Sequence, residues 1–196
     1  MAEILEVARQ EFAEKGLAGA RIDAIAAATR TSKRMIYYYF GSKEGLYLRV
    51  LEEAYRRVRA HVATYQLADL PPEDALRRLV GGTFDHHHAN QDYIRLVMNE
   101  NIQRGAFIRQ SRNIQQLNAP AIEEIRRLYA RGLEQGVFRA GLDPVDIHAT
   151  ISALAFFNVS NQHTFGSLFR HDTQNGQGLT TRRDNIIETV VRFLRK

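Results

Sequence analysis

Apolar residues recur along this chain at spacings of three and four, and the β-branched alternation of a half-buried strand is missing. The pattern predicts an all-α protein. Ile4, Ala8 and Phe12 share one face of a first helix, Ala2 to Lys15, and Gly16 stands where a left-handed residue stops a helix. Ile22, Ile25 and Ala26 form the inner face of a second helix over residues 22–28, with Asp23 favouring its N-terminus. Thr29-Arg30-Thr31 is a turn, and Ser32 or Thr31 is the N-cap of a third helix. Ser42 caps a fourth, which begins at Lys43 and carries Leu46, Val50, Leu51, Tyr55 and Val58.

Longer elements follow. Pro71-Pro72 opens a fifth helix, and a boundary falls between Asn90 and Asp92. Gly105 and the Asn118-Ala119-Pro120 step bracket an irregular stretch, after which a long helix runs from Pro120 to Gln135 and stops at Gly136. Asp143-Pro144 places a capping acid before a proline at the first helical position. The helix it starts carries Ile147, Ile151, Leu154 to Phe157, Phe165 and Phe169. Asp172 to Thr181 is polar and glycine-containing, a predicted loop, and the last helix spans Arg182 to Arg195.

Composition narrows the chemistry. The 196 residues include no cysteine, which excludes disulfides, thiolate metal sites and cysteine nucleophiles. No apolar run approaches the roughly 18 residues that span a bilayer, and the start lacks the apolar core of a signal peptide, so a cytoplasmic location is expected. The net charge is +5, and its placement matters more than its size. From Arg30 to Lys43 the charged residues are Arg30, Lys33, Arg34 and Lys43, with no acid among them. The first helix, by contrast, carries Glu3, Glu6, Glu11 and Glu14.

On the third helix Ile36 and Phe40 share one face at i, i+4, while Lys33, Arg34, Tyr37 and Tyr38 share another. One face turns inward; the other is cationic and aromatic and points out. A short helix of this kind fits the major groove of B-DNA. Its Lys and Arg can donate to guanine O6 and N7, Met35 or a tyrosine ring can touch a thymine methyl, and tyrosine hydroxyls can donate to phosphate. Lys43 lies at a helix N-terminus, where free N–H groups already favour an anion. The local pattern alone leaves a second reading open: Tyr37 to Phe40 as aromatic core, with the basic residues as an ordinary solvated face.

Residues Ile4 to Tyr47, above all Ile25-Ala26, Ser32-Lys33, Ile36-Tyr37, Phe40 and Ser42-Lys43-Glu44-Gly45-Leu46, resemble the N-terminal domain of the TetR family of bacterial regulators. The resemblance implies a three-helix helix-turn-helix domain over residues 1–45. It implies a larger helical domain over 46–196 that binds a small-molecule effector and makes a homodimer through the eighth and last helices. It further implies a ligand-responsive regulator, a repressor released from a palindromic double-stranded DNA operator. Lys33, Arg34 and Met35 would face bases or nearby phosphates, Tyr37 and Tyr38 would meet phosphate, sugar or thymine methyl, and Lys43 and Arg21 would each hold a phosphate. Two positions depart from the family: Tyr39, where histidine is common, and Arg30, where glycine is common. Arginine in a left-handed turn position costs about 1 kcal/mol relative to glycine, so either the turn geometry differs here or a role of Arg30, such as a phosphate contact, offsets the strain.

Residues from about Glu100 to Phe169, including Asn99-Glu100-Asn101, Leu117 to Ile122 and Phe156 to Asn161, are similar to a subgroup of that family regulating catabolism of nitrogen heterocycles. That similarity implies an aromatic or heterocyclic effector. Polar groups on apolar helices are candidates for holding it: Asn99, Asn101, Arg104, Asn158, Asn161 and His163. Each has a plainer alternative as a cap, an exposed residue or a dimer contact. The run His86-His87-His88 invites a metal, but successive helical residues point about 100° apart, so the three cannot chelate one ion and no metal or other cofactor is expected. No nucleophile elbow, zincin motif, Walker A loop or dinucleotide fingerprint occurs, and catalysis is not expected. A protein-interaction module without an operator remains the other class of function.

Overall fold

The structure is a computed structural model that describes residues 1–170 and 175–196. Among these it holds ten α-helices: α1 (Ala2–Gly19), α2 (Ile22–Ala28), α3 (Lys33–Phe40), α4 (Lys43–Val62), α5 (Pro72–Ala89), α6 (Gln91–Ile102), α7 (Arg112–Glu134), α8 (Pro144–Ser160), α9 (Gln162–Phe169) and α10 (Gly176–Leu194). The extended pairing among the described residues is a single bridge between Phe138 and Arg195. None of the described helices is long and apolar enough to cross a membrane.

The chain packs as two compact units, residues 1–57 with 91–117, and residues 58–90 with 118–196. Packing does not divide the chain at residue 45, where the sequence drew its boundary. The reason is α6, which lies on α1. Leu96 and Ile114 enter the first core beside Ile4, Ala8, Phe12, Ile25, Ile36, Leu46 and Leu51. Polar ties reinforce the contact: the Arg9 guanidinium donates to Asp92 at 2.8 Å, and the Asn99 amide donates to the Phe12 carbonyl at 3.3 Å. In the second unit α5 packs on α8 and α10. Its core gathers Leu76, Val80 and Phe84 with Ile147, Ile151, Ile186 and Val190.

Several predicted boundaries match. Gly16 has φ 66° and ψ 174°, a region essentially restricted to glycine, and it interrupts α1 after Lys15. Asp143 accepts from the Val145 N–H at 2.7 Å and caps α8 as expected.

Three stretches differ. The predicted irregular stretch from Gly105 ends at Ser111 and is helical from Arg112, because the Ser111 hydroxyl accepts from the Ile114 N–H at 3.2 Å and starts α7 there. Pro120 lies inside that helix, where its missing N–H removes one bond of the ladder and leaves the rest. The helix predicted from Asp143 onward through Phe169 is two helices, separated at Asn161, whose φ of −108° and ψ of 6° leave the helical range. The predicted loop 172–181 is helical from Gly176, since Leu179 packs against the core in register with Ile186 and Val190. Residues 172–174 of that prediction lie outside the described residues.

Candidate functional site

The first candidate site grows from the start of α2. The Glu11 carboxylate accepts from the Arg21 backbone N–H at 3.1 Å and from Lys15 at 2.7 Å. Burial opposes its ionisation, but these hydrogen bonds outweigh that cost and hold the carboxyl below its ordinary range. The bond fixes where α2 begins and leaves the Arg21 side chain exposed. At the other end Thr29 is buried and its hydroxyl donates to the Ile25 carbonyl at 2.8 Å. Arg30 follows with φ 49°, in the left-handed region expected of a turn that usually holds glycine.

Ser32 then caps α3, its hydroxyl accepting from the Met35 N–H at 3.2 Å. Ile36 is 0% exposed and Phe40 packs against the core, whereas Tyr38 is 78% exposed. The face opposite Ile36 therefore carries Lys33, Arg34, Tyr37 and Tyr38 into solvent. Met35 and Tyr39 are exposed beside them. The Tyr38 and Tyr39 rings meet edge-on at 5.4 Å, so Tyr39 buttresses its neighbour. Lys33 is ion-paired with Asp23 of α2, a contact that spacing did not reveal. Arg21, Arg30 and Arg34 have no ion pair among the described residues.

The junction after α3 is tight. The Ser42 hydroxyl caps α4 by accepting from the Gly45 N–H at 3.0 Å. A Cβ on Gly45 would stand 2.1 Å from the Phe40 carbonyl oxygen, so only glycine lets the two helices meet here. Lys43, in the first turn of α4, donates to the Ala18 carbonyl at 3.3 Å, on the side where Glu11 lies close enough to feel its charge. Every residue predicted for DNA contact thus belongs to the first unit, and all are exposed except Lys43, which is half-buried.

The residues predicted to hold an effector do not come together as one set. Asn99 is engaged with Phe12, Asn101 donates back to the Val97 carbonyl at 2.9 Å, and Arg104 is an exposed left-handed residue with φ 57°. All three belong to the first unit. Between Asn99 and Asn101 lies a group that type alone did not single out. Glu100 is 1% exposed, and its carboxylate accepts from the N–H groups of Phe107 and Ile108 at 3.2 and 3.0 Å, closing the loop after α6. Tyr47 is buried near it, and burial together with the Glu100 charge pushes the phenol far above its ordinary range.

In the second unit Asn158 and Asn161 do meet, in the wall of a cavity of about 510 Å³ formed by α8, α9 and α10. His163 is exposed on α9 and is not among its lining residues. Phe157 and Phe165 supply the apolar wall, and α10 contributes Gln177, Thr181, Arg182 and Asn185. The α10 residues at the near end escaped the sequence because their segment read as a loop. Leu179, alone among polar neighbours, was the available signal for helix.

The three histidines diverge. His86 packs against His61 with ring centroids 4.9 Å apart, and His87 meets Phe156 edge-on at 6.4 Å. Burial first, then neighbouring positive charge, lowers both to about 4. Among the described residues no group of three His, Cys, Asp or Glu is placed to hold a metal ion.

Comparison with known proteins agrees with this geometry. A family model described as bacterial regulatory proteins, tetR family, matches residues 4–50. A second, described as a tetracyclin repressor-like C-terminal domain, matches residues 72–190. The HTH-type transcriptional repressor NicS of Pseudomonas putida is 32% identical over 193 residues, 98% of this chain and 91% of the relative. The HTH-type transcriptional repressor SCO4008 of Streptomyces coelicolor is 32% identical over 155 residues, 79% of this chain and 75% of its own. Among solved structures, SCO4942 of Streptomyces coelicolor superposes with a TM-score of 0.73 at 28% identity, covering 98% of this chain and 97% of that one. The ketosteroid transcriptional regulator KstR2 of Mycobacterium tuberculosis shares the fold, with a TM-score of 0.72 at 20% identity, covering 100% of this chain and 94% of that one. With both family models matched and its helix-turn-helix built as described, the chain belongs to the TetR family of bacterial transcriptional regulators.

Proposed function

We propose that this regulator is a repressor that binds a palindromic operator as a homodimer in the cytoplasm and leaves it when a small aromatic or heterocyclic effector binds. Residues 1–45 form the DNA-binding part, and residues 46–196 bind the effector and dimerise through α8 and α10. The observation that carries the reading is α3. Its inner face is closed by Ile36, and its outer face offers Arg34, Tyr37 and Tyr38 to solvent. Arg34 and Met35 meet base edges, Tyr37 and Tyr38 meet phosphate, sugar or thymine methyl, and Arg21, Arg30 and Lys43 hold phosphates. Lys33 exchanges Asp23 for a phosphate or base on binding, so it contributes less net affinity than Arg34. Dimerisation places two such helices roughly 34–36 Å apart, one turn of the duplex. The effector acts by its differential affinity for two conformations of the dimer. The relatives named as repressors support the direction of control.

The test is a mobility shift with the DNA upstream of the protein's own gene across a salt series. Two chains are expected per site, with affinity falling ~10-fold or more between ~50 and ~200 mM salt. Weak association that ignores salt would contradict the reading and favour an interaction module.

A further inference from the structure

The cavity among α8, α9 and α10 has a lining whose chemistry selects a ligand. Its volume of about 510 Å³ suits a molecule of one or two rings. Phe157 and Phe165 stand nearly perpendicular, at 83° with centroids 5.8 Å apart, so a flat ring can lie on one face and meet the edge of the other. Asn158, 4% exposed, and Asn161 offer carboxamides from α8 and the bend after it. None of the described lining residues is acidic, so a cationic ligand finds no counter-charge among them.

Two consecutive arginines on α10 differ in a telling way. Arg183 is held by both oxygens of Asp85, at 2.8 and 2.9 Å, and Asp184 lies 4.0 Å from it. Arg182 lines the cavity and has no ion pair among the described residues. A half-buried guanidinium at a cavity wall whose described residues include no acid calls for an anion, and its planar fork matches a carboxylate.

We propose that this cavity binds a small aromatic carboxylate, its ring against Phe157 and Phe165 and its carboxylate on Arg182. Asn158 and Asn161 read polar substituents on the ring. The proposal deepens the effector reading above by naming the ligand class and the residues, and it rests on that reading only for its effect on DNA.

The test is isothermal titration of the full-length protein, without DNA, using 2-naphthoate and its uncharged analogue 2-naphthamide. Naphthoate is expected to bind saturably and ~10-fold or more tighter than the amide, the loss typical of a charge-assisted pair. Arg182→Gln is expected to bring naphthoate down to the amide's affinity. Arg192→Gln, an exposed position on α10 engaged by Glu188, is expected to leave it unchanged. Absence of naphthoate binding, as when a second copy fills the cavity, would overturn the proposal. So would equal affinity for acid and amide, or wild-type affinity in a folded Arg182→Gln protein. Naphthoate binding by protein that shifts no operator would support the site while counting against the repressor reading.

Discussion

The segment from Arg30 to Gly45 and the α8–α9–α10 cavity are both built of polar groups on helices, yet they are organised on different scales. In the first, the two helix caps each act on a neighbour three residues on: Ser32 on Met35, and Ser42 on Gly45. The outward face of α3 follows from helical periodicity once Ile36 is buried. In the second, the wall is assembled from three helices, and no local pattern links Asn158 to Arg182. The lesson is that a surface built on one helix is written in spacing, while a cavity is written in packing.

The sharpest way to break that contrast is to exchange the faces of α3. Ile36→Ala removes a fully buried side chain and is expected to lower the unfolding free energy by about 2–5 kcal/mol. Tyr38→Ala, at an exposed position, is expected to stay within about 0.5 kcal/mol in the same urea melts. Equal losses would mean that Tyr38 belongs to a core and that the two-face description is wrong.

The second unit predicts a pH dependence that the first does not share. His86 and His87 titrate near 4 when folded, against a usual value near 6.5, chiefly because burial penalises their charged form. Between those values the unfolded chain binds more protons, so stability is lost as pH falls through the window. About 2 kcal/mol per histidine is expected between pH 7.5 and pH 5. Urea titrations at the two pH values measure this, and His87→Phe should flatten the slope. A wild-type slope in that variant would remove His87 from the account.

The smallest effect lies in the turn. Arg30→Gly relieves a left-handed arginine and is expected to stabilise the fold by about 1 kcal/mol. If Arg30 also holds a phosphate, operator affinity falls and the salt slope shallows by about 1. A destabilised Arg30→Gly protein would show that the arginine has a structural partner instead.

Much of the fold was legible in the sequence. Gly16, Ser32, Ser42 and Asp143 mark helix ends by chemistry that acts within a few residues. Ser111 worked the same way for α7, but Pro120 is a stronger local signal and drew the boundary to the wrong place. The effector candidates rest on residue type, and type does not say where a side chain points. Asn99 and Asn101 satisfy nearby carbonyls, while Glu100 between them is buried to close a loop. The Lys33–Asp23 pair joins two helices whose mutual angle no periodicity encodes.

The central claim is that the outward face of α3 reads the operator, and it is tested most directly by fluorescence anisotropy on a labelled operator with the Arg34→Ala, Tyr38→Ala double variant. The account predicts a protein that melts like wild type and binds the operator ~10-fold to ~100-fold more weakly, as expected for losing a bidentate base contact. Wild-type operator affinity in that variant would contradict it.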